Sequence, residues 1–260
     1  MTMVPPVHGP APRGWHYPRV VAHRGGGILA PENTLVGMDA AVFHGHVAVE
    51  FDVMLAADGV PVLMHDDVLG RTVAGSGPVA DLPSDVLTTL DAGSWLAPRF
   101  SLARVPRYVD VVAWLRQQGV WMNVEIKPSP GADVATGTVV GRMTQEVFAG
   151  VDDLALKPLL SSFSVDALLA ARCAAPDIPR ALLLSAPPAD WQARLDAVGA
   201  IALHCNHRNL TPGLAAQVKA AGYGLFCYTV NEPDRARELL QWGVDAFCTD
   251  RIDLIGPDFT

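Results

Sequence analysis

The feature of this sequence that most restricts its fold is a regular alternation of short apolar runs with amphipathic stretches. Alternating runs of this kind are typical of repeated βα units around a parallel sheet. Eight such units predict a (β/α)8 TIM barrel, because closing the sheet removes its edges and the helices cover its outer face. The apolar runs are RVVAH (19–23), VAVEFDV (47–53), VWMNVEIK (120–127), PLLSSF (158–163), RALLL (180–184), AIALH (200–204), YGLFCYTV (223–230) and VDAFCTD (244–250).

Two segments depart from the alternation. Residues 1–18 contain five prolines and no long apolar run, so we expect a loose leader followed by a single catalytic barrel domain over residues 19–260. The connection after the second run is far longer than a compact barrel needs, which predicts a small insertion over about residues 66–106. Loops after barrel strands gather on the catalytic face, so we expect the insertion to lie there.

Composition excludes several classes of partner. The chain has 260 residues, with 19 Lys and Arg against 27 Asp and Glu and a net charge of −8, which argues against nucleic acid bound on a broad basic surface. No apolar run reaches the length of a membrane span, and the N-terminus has no apolar core of signal-peptide length, so we expect neither a span nor a signal peptide. The cysteines form no CxxC pair, as is usual for small buried residues in a reducing compartment: Cys173, Cys205, Cys227 and Cys248. We expect a cytoplasmic protein without stable membrane insertion; the sequence does not define its oligomeric state.

Carboxylates interrupt two of the apolar runs. Glu50 and Asp52 occupy alternate positions of the second run, and Glu125 and Lys127 repeat that spacing in the third. Side chains at i and i+2 share one face of a strand, so the four charged groups should meet at one mouth of the barrel. Carboxylate oxygens without cysteine suit a hard divalent cation, which predicts one Mg²⁺ or Ca²⁺.

Two histidines belong to the same predicted mouth. His23 and Arg24 end the first run, and His65 follows the run PVLMH. Two histidines on either side of a metal-bound phosphate can divide the proton transfers of a hydrolysis at neutral pH. This placement predicts a phosphate site with paired acid and base groups.

The segment after His23 combines flexibility with a helix start. Glycines 25 to 27 let the backbone approach an anion closely. Pro31, Asn33 and Thr34 then predict the start of a helix, with Asn33 or Thr34 as the N-cap. The segment is therefore predicted to hold a phosphate beside a histidine.

Six motifs in order resemble the bacterial, cytoplasmic glycerophosphodiester phosphodiesterases. They are HRG…PENT, VEFDV…DGVPVLMHD, RTVAGSGPV…LDAGSW, NVEIKP, SSF and YTVNEPDRARELLQWGVDAFCTD. The resemblance spans about residues 19–255 and implies a TIM barrel with a small insertion after the second strand. It also implies hydrolysis of small-molecule glycerophosphodiesters, such as deacylated phospholipid headgroups, to glycerol 3-phosphate and an alcohol.

The resemblance assigns roles to individual residues. It implies metal ligands at Glu50, Asp52 and Glu125, and the acid and base at His23 and His65. It places the phosphate-holding cations at Arg24 and Lys127. Tyr228 stands where many relatives have the tryptophan of a WTVN motif, so the surface that stacks on the substrate differs here, and Phe163 is expected to form a pocket wall.

Two other functions are compatible with the sequence. One is a related barrel phospholipase that acts on lysolipids, which requires exposed apolar loops at the mouth. The other is a barrel that binds glycerophosphodiesters without catalysis, which the presence of both histidines and all three carboxylates disfavours. The sequence leaves open the preferred headgroup, the metal, the division of roles between the histidines, and whether water attacks directly or a cyclic phosphate forms first.

Overall fold

The computed structural model describes residues 14–260. Eight parallel strands form a closed barrel, because β1 pairs with both β9 and β2, and the predicted (β/α)8 fold is confirmed. β3 adds to this sheet as an antiparallel partner of β2. The strands are β1 (Val20–Ala22), β2 (Ala48–Leu55), β3 (Pro61–Leu63), β4 (Trp121–Ile126), β5 (Leu159–Ser162), β6 (Arg180–Leu184), β7 (Ala202–Asn206), β8 (Gly224–Tyr228) and β9 (Ala246–Thr249).

Helices connect the strands and cover the barrel. Several begin at a hydroxyl residue whose side chain accepts a hydrogen bond from the first turn, as Thr34, Ser164 and Thr211 do. Residues 252–254 after β9 form a turn. The α-helices of the described chain are α1 (Leu35–Phe43), α2 (Ser84–Leu87), α3 (Tyr108–Gln117), α4 (Asp133–Val147), α5 (Val165–Ala174), α6 (Trp191–Val198), α7 (Pro212–Ala220) and α8 (Pro233–Gln241). No helix in the described part of the chain is long and apolar enough to cross a bilayer.

Aromatic side chains close the end of the barrel where the strands begin. Tyr17 stacks on Trp121 with ring centroids 4.4 Å apart, and Trp15 lies 5.5 Å from Phe226. Residues 14–18 therefore pack on the barrel, and our expectation that they belong to a loose leader is wrong for them. The physical reason is that two aromatic rings cover apolar side chains that would otherwise face water. Residues 1–13 of that predicted leader lie outside the described residues.

The insertion after β3 has a small core of its own. It contains two 3₁₀ helices (Val79–Asp81 and Pro98–Phe100) and α2. Val79 and Leu87 are fully buried against Met54 of β2 and Val62 of β3. Buried apolar contacts of this kind hold the segment beside the barrel as an ordered unit.

The cysteines differ in their surroundings. All four are free thiols, and Cys205, Cys227 and Cys248 are buried as expected. Cys173, on α5, is exposed, so the expectation of burial is wrong for this residue. Its position lies near the C-terminal end of the helix, away from the face that contacts the strands, where Ala167, Leu168 and Ala171 are buried.

Candidate active site

Three carboxylates meet at the mouth of the barrel, where the strands end. β2 and β4 are neighbours in parallel register, and Asp52 lies beside Glu125. Because alternate strand residues share a face, Glu50 projects on the same side, one layer deeper. One carboxylate oxygen of each residue lies within 4.8 Å of the others. The arrangement offers three oxygen ligands to a single cation.

The electrostatics of this cluster are unfavourable without a cation. Burial raises the pKa of Glu50 well above its usual range, and the charges of Asp52 and Glu125 raise it further. Burial and the charge of Asp52 raise the pKa of Glu125 to about 8. Buried carboxylates that share a site cannot all ionise at low cost. The cluster therefore favours binding of a positive ion.

Asp52 lies between two cationic side chains. The Nζ of Lys127 and the Nε of Arg24 each lie 3.4 Å from one of its carboxylate oxygens. Burial alone would raise the pKa of Asp52, but the charges of Lys127 and Arg24 and a hydrogen bond from Asn33 lower it. Asp52 is therefore the ionised member of the cluster, and both predicted phosphate-binding cations lie at the mouth.

Arg24 adopts an uncommon backbone conformation that serves the site. Its φ is 51°, in the left-handed region that non-glycine residues seldom occupy. Its backbone N–H donates to Glu50 Oε2 at 3.1 Å, and its guanidinium donates to Glu32 at 2.9 Å. Arg24 Nε is buried and has no hydrogen-bond partner among the described residues. Its neighbour is the Asp52 carboxylate, 3.4 Å away, so the guanidinium charge is directed at the mouth.

Asn33 holds Asp52, a role that the sequence did not reveal. Its side-chain amide donates to Asp52 Oδ2 at 2.9 Å and accepts from the backbone N–H of Asp52 at 3.1 Å. Its φ is 55°, and Thr34 is the N-cap of α1 instead. Of the two N-cap candidates, the structure selects Thr34. The paired hydrogen bonds fix the Asp52 side chain in one orientation.

His23 is oriented by a carboxylate from the last strand connection. Its Nδ1 lies 2.6 Å from Asp250 Oδ1, and Asn231 donates to the other oxygen at 2.9 Å. Burial raises the pKa of Asp250, but these hydrogen bonds lower it overall, so Asp250 is ionised and accepts a hydrogen bond from Nδ1–H. Nε2 of His23 lies 3.7 Å from Glu50. Nε2 therefore faces the carboxylate cluster.

His65 repeats this pattern from the other side of β2. Its Nδ1 lies 2.6 Å from Asp66 Oδ1. Although burial opposes it, hydrogen bonds from Arg71 and His65 lower the pKa of Asp66 to about 2, so Asp66 is ionised and accepts a hydrogen bond from Nδ1–H. Burial lowers the pKa of His65, while the negative charge of Asp52 raises it. Each predicted acid or base histidine thus has a carboxylate partner, neither of which the sequence prediction included.

An aromatic pair forms another part of the mouth. The ring of Phe163, after β5, meets the ring of Tyr228, on β8, edge to face with centroids 5.9 Å apart. The Phe163 residue is 48% exposed, so part of its surface remains uncovered by Tyr228. The hydroxyl of Tyr228 lies 3.4 Å from Ser185 Oγ, and burial raises the pKa of Tyr228 to about 12.

The glycines after His23 have a different role from the predicted one. A Cβ at Gly27 would lie 2.2 Å from the carbonyl oxygen of Asp250, and one at Gly25 would lie 2.7 Å from the backbone of Gly37. Gly25 and Gly27 also have positive φ values of 82° and 54°. The space beside these glycines is filled by the protein's own backbone. They let the segment pack against α1 and Asp250, and so position His23.

Comparisons with known proteins identify relatives of this chain. Residues 23–254 match the glycerophosphoryl diester phosphodiesterase family. The structure of an Oleispira antarctica phosphodiesterase in complex with the product sn-glycerol-3-phosphate is 36% identical, with a TM-score of 0.83, and the match covers 90% of this chain and 93% of that chain. A glycerophosphodiester phosphodiesterase structure from Agrobacterium tumefaciens is 28% identical, with a TM-score of 0.76, over 91% of this chain and 98% of that chain. A glycerophosphodiester phosphodiesterase of Caldanaerobacter subterraneus is 28% identical over 89% of this chain and 93% of its own length.

The barrel and its mouth define the class of protein. A (β/α)8 fold that gathers carboxylates, two cations and two carboxylate-held histidines is suited to cleave phosphoric diesters. The chain belongs to the glycerophosphoryl diester phosphodiesterase family and is an enzyme that hydrolyses glycerophosphodiesters.

Proposed function

We propose that the enzyme cleaves glycerophosphodiesters to glycerol 3-phosphate and an alcohol with the help of one divalent cation, Mg²⁺ or Ca²⁺. Glu50, Asp52 and Glu125 are the proposed ligands. The observation that carries the proposal is the convergence of their oxygens within 4.8 Å. The product found in the Oleispira antarctica phosphodiesterase supports the proposed product.

The donor set fits a hard cation. All three side chains offer carboxylate oxygens, which Mg²⁺ and Ca²⁺ prefer. The raised pKa values of Glu50 and Glu125 reflect mutual repulsion and burial, which a bound cation would offset. When bound, a divalent ion at this place neutralises charge on phosphoryl oxygens and lowers the pKa of a coordinated hydroxyl.

The protein's own cations orient the phosphate. Arg24 and Lys127 lie on either side of Asp52, and their positive charges attract a phosphoryl oxygen at the mouth. Cations placed where negative charge develops stabilise the transition state more than the ground state. We assign both residues to phosphate binding.

The histidines divide the proton transfers. Asp250 and Asp66 accept from Nδ1 of His23 and of His65, which leaves Nε2 of each ring for the substrate. One histidine takes the proton of the attacking hydroxyl, and the other gives a proton to the leaving oxygen. Phe163 and Tyr228 form the apolar wall that contacts the glycerol or the headgroup.

The remaining expectations about the chain are also proposals. We assign residues 19–260 to one catalytic barrel domain, with the insertion at about 66–106 as part of it. We propose a cytoplasmic location, which the free thiols of the four cysteines support. Cell fractionation that finds the protein outside the cytoplasm would contradict this assignment.

A product assay tests the proposed function. Purified enzyme is incubated with glycerophosphocholine, glycerophosphoethanolamine and a lysolipid, and the products are followed by phosphorus NMR. We expect glycerol 3-phosphate from at least one glycerophosphodiester, and a transient cyclic phosphate would identify the two-step route. Turnover of the lysolipid alone would assign a phospholipase, and tight binding of the diesters without any product would assign a binding protein.

A further inference from the structure

A chain of ion pairs links the insertion to the mouth of the barrel. Arg71, in the insertion, donates from Nε to Asp66 Oδ2 at 2.6 Å. Its two terminal nitrogens donate to both oxygens of Glu32, at 2.8 and 2.7 Å. Glu32 precedes α1 and also accepts from Arg24 at 2.9 Å. All three nitrogens of the Arg71 guanidinium are therefore bound to carboxylates.

The geometry of these bonds leads from Arg71 to His65. Asp66 has two oxygens, of which Oδ2 is bound to Arg71 and Oδ1 to His65 Nδ1. Because the bond to Arg71 fixes Oδ2, it also fixes Oδ1 of the same Asp66 carboxylate. The His65 ring that donates to Oδ1 is thereby held in one orientation. Glu32 anchors the guanidinium from the side of α1 through a bidentate pair, the most directional contact that arginine makes.

We propose that Arg71 is a positioning residue for catalysis, which acts through Asp66 to hold the His65 ring toward the substrate. This inference rests on the proposed role of His65 as acid or base. Arg71 itself does not touch the reacting atoms. Its side chain is 45% exposed, and a single exposed ion pair contributes little, but three charge-assisted bonds to two carboxylates restrict the side chain to one position.

A double-mutant cycle distinguishes positioning from general structural support. The variants are Arg71→Ala, His65→Ala and the double variant, assayed with glycerophosphocholine at saturating concentration. We expect Arg71→Ala to lower kcat by roughly 10–100-fold, the range for groups that orient a functional side chain. In the His65→Ala background the same substitution should change kcat less than about twofold, because a residue that acts through His65 has nothing left to position.

Further variants separate orientation from charge. Arg71→Lys keeps the charge but not the planar fork, so it should restore less than half of the lost activity. Added guanidinium ion at millimolar concentration should partly restore Arg71→Ala and leave His65→Ala unchanged. Arg104→Ala is the matched control, since this arginine also lies in the insertion but donates only to the backbone carbonyls of Ser101 and Ala103; its kcat should stay near that of the unmodified enzyme.

The outcomes are separable. If His65→Ala keeps full activity, the proposed function of His65 fails. If His65→Ala is impaired but Arg71→Ala is not, or if the two losses multiply in the double variant, the positioning role of Arg71 fails alone. Should Arg71→Ala lower Tm so far that it does not fold, Arg71→Lys takes its place in the cycle. Its loss of kcat must then fall below about twofold in the His65→Ala background for the inference to stand.

Discussion

The proposed cation site predicts that metal binding releases protons. The pKa of Glu125 is about 8. At pH 7 the Glu125 side chain is therefore protonated in about nine-tenths of the metal-free enzyme molecules. A ligand carboxylate must lose that proton to bind the ion. Binding at pH 7 should therefore release about one proton from Glu125 alone, and apparent affinity should rise about tenfold per pH unit below pH 8 and level off above it. The raised pKa of Glu50 acts in the same direction, so this slope is a lower limit.

Isothermal titration calorimetry measures both quantities. Titration of Mg²⁺ and of Ca²⁺ in two buffers of different ionisation enthalpy gives the number of protons released, and a series from pH 6 to pH 9 gives the slope. Glu125→Gln should remove the share of the proton release that Glu125 supplies, about one proton at pH 7, and weaken binding. Glu146→Gln, a change at an exposed carboxylate on α4, is the matched control and should behave as the unmodified protein. A metal affinity that does not vary with pH, together with no proton release on binding, would refute the site.

Three other predictions concern the histidines and their support. His23→Ala and His65→Ala should each lower kcat by roughly 10²–10⁴, and a nitrophenyl ester, whose leaving group needs no proton, should rescue only the variant that lacks the acid; equal rescue of both would mean that the roles are not divided. Asp250→Asn should lower kcat by roughly 10–100-fold with little change in metal affinity, and an unchanged kcat would assign Asp250 to structure alone. Gly27→Ala should cost more than about 2 kcal/mol in urea denaturation, because its Cβ meets the Asp250 carbonyl; Gly59→Ala, with a similar positive φ but open space around it, is the control and should cost less.

The fold and the carboxylate cluster could be predicted because they depend on local periodicity. Alternate positions of a strand share a face, so Glu50 and Asp52 had to project together once the run around them was taken as a strand. The parallel register then brings Glu125 beside Asp52. No long-range information beyond strand order was needed.

The groups that hold these side chains could not be predicted in the same way. Asn33 looked like a helix cap because its position before α1 suits one, and only the folded chain shows its amide on Asp52. Asp250 ends an apolar run just as His23 does, so the rule that found His23 could also have found Asp250. Arg71 lies in a segment without periodicity, and its partner Glu32 is 39 residues away, so nothing in the sequence pairs them.

Two predictions from local sequence were wrong because tertiary packing determines these segments. The glycines after His23 suggested an anion-binding turn, but the spaces that their missing side chains leave are filled by Asp250 and α1. Trp15 and Tyr17 follow a proline-rich stretch that suggested a loose leader, yet both rings contact the barrel. The composition of a segment indicates its local preference, but it does not show whether distant strands provide a surface on which the segment can pack.

The central claim, cation-assisted cleavage at the carboxylate cluster, is tested most directly by turnover of glycerophosphocholine after removal of metal. The enzyme is treated with EDTA, freed of chelator and assayed for glycerol 3-phosphate with and without added Mg²⁺ or Ca²⁺, alongside Glu50→Gln. We predict that the stripped enzyme is inactive, that one of the two ions restores it, and that neither ion restores Glu50→Gln. Full activity in the stripped enzyme, or restoration of Glu50→Gln to the level of the unmodified protein, would contradict the claim.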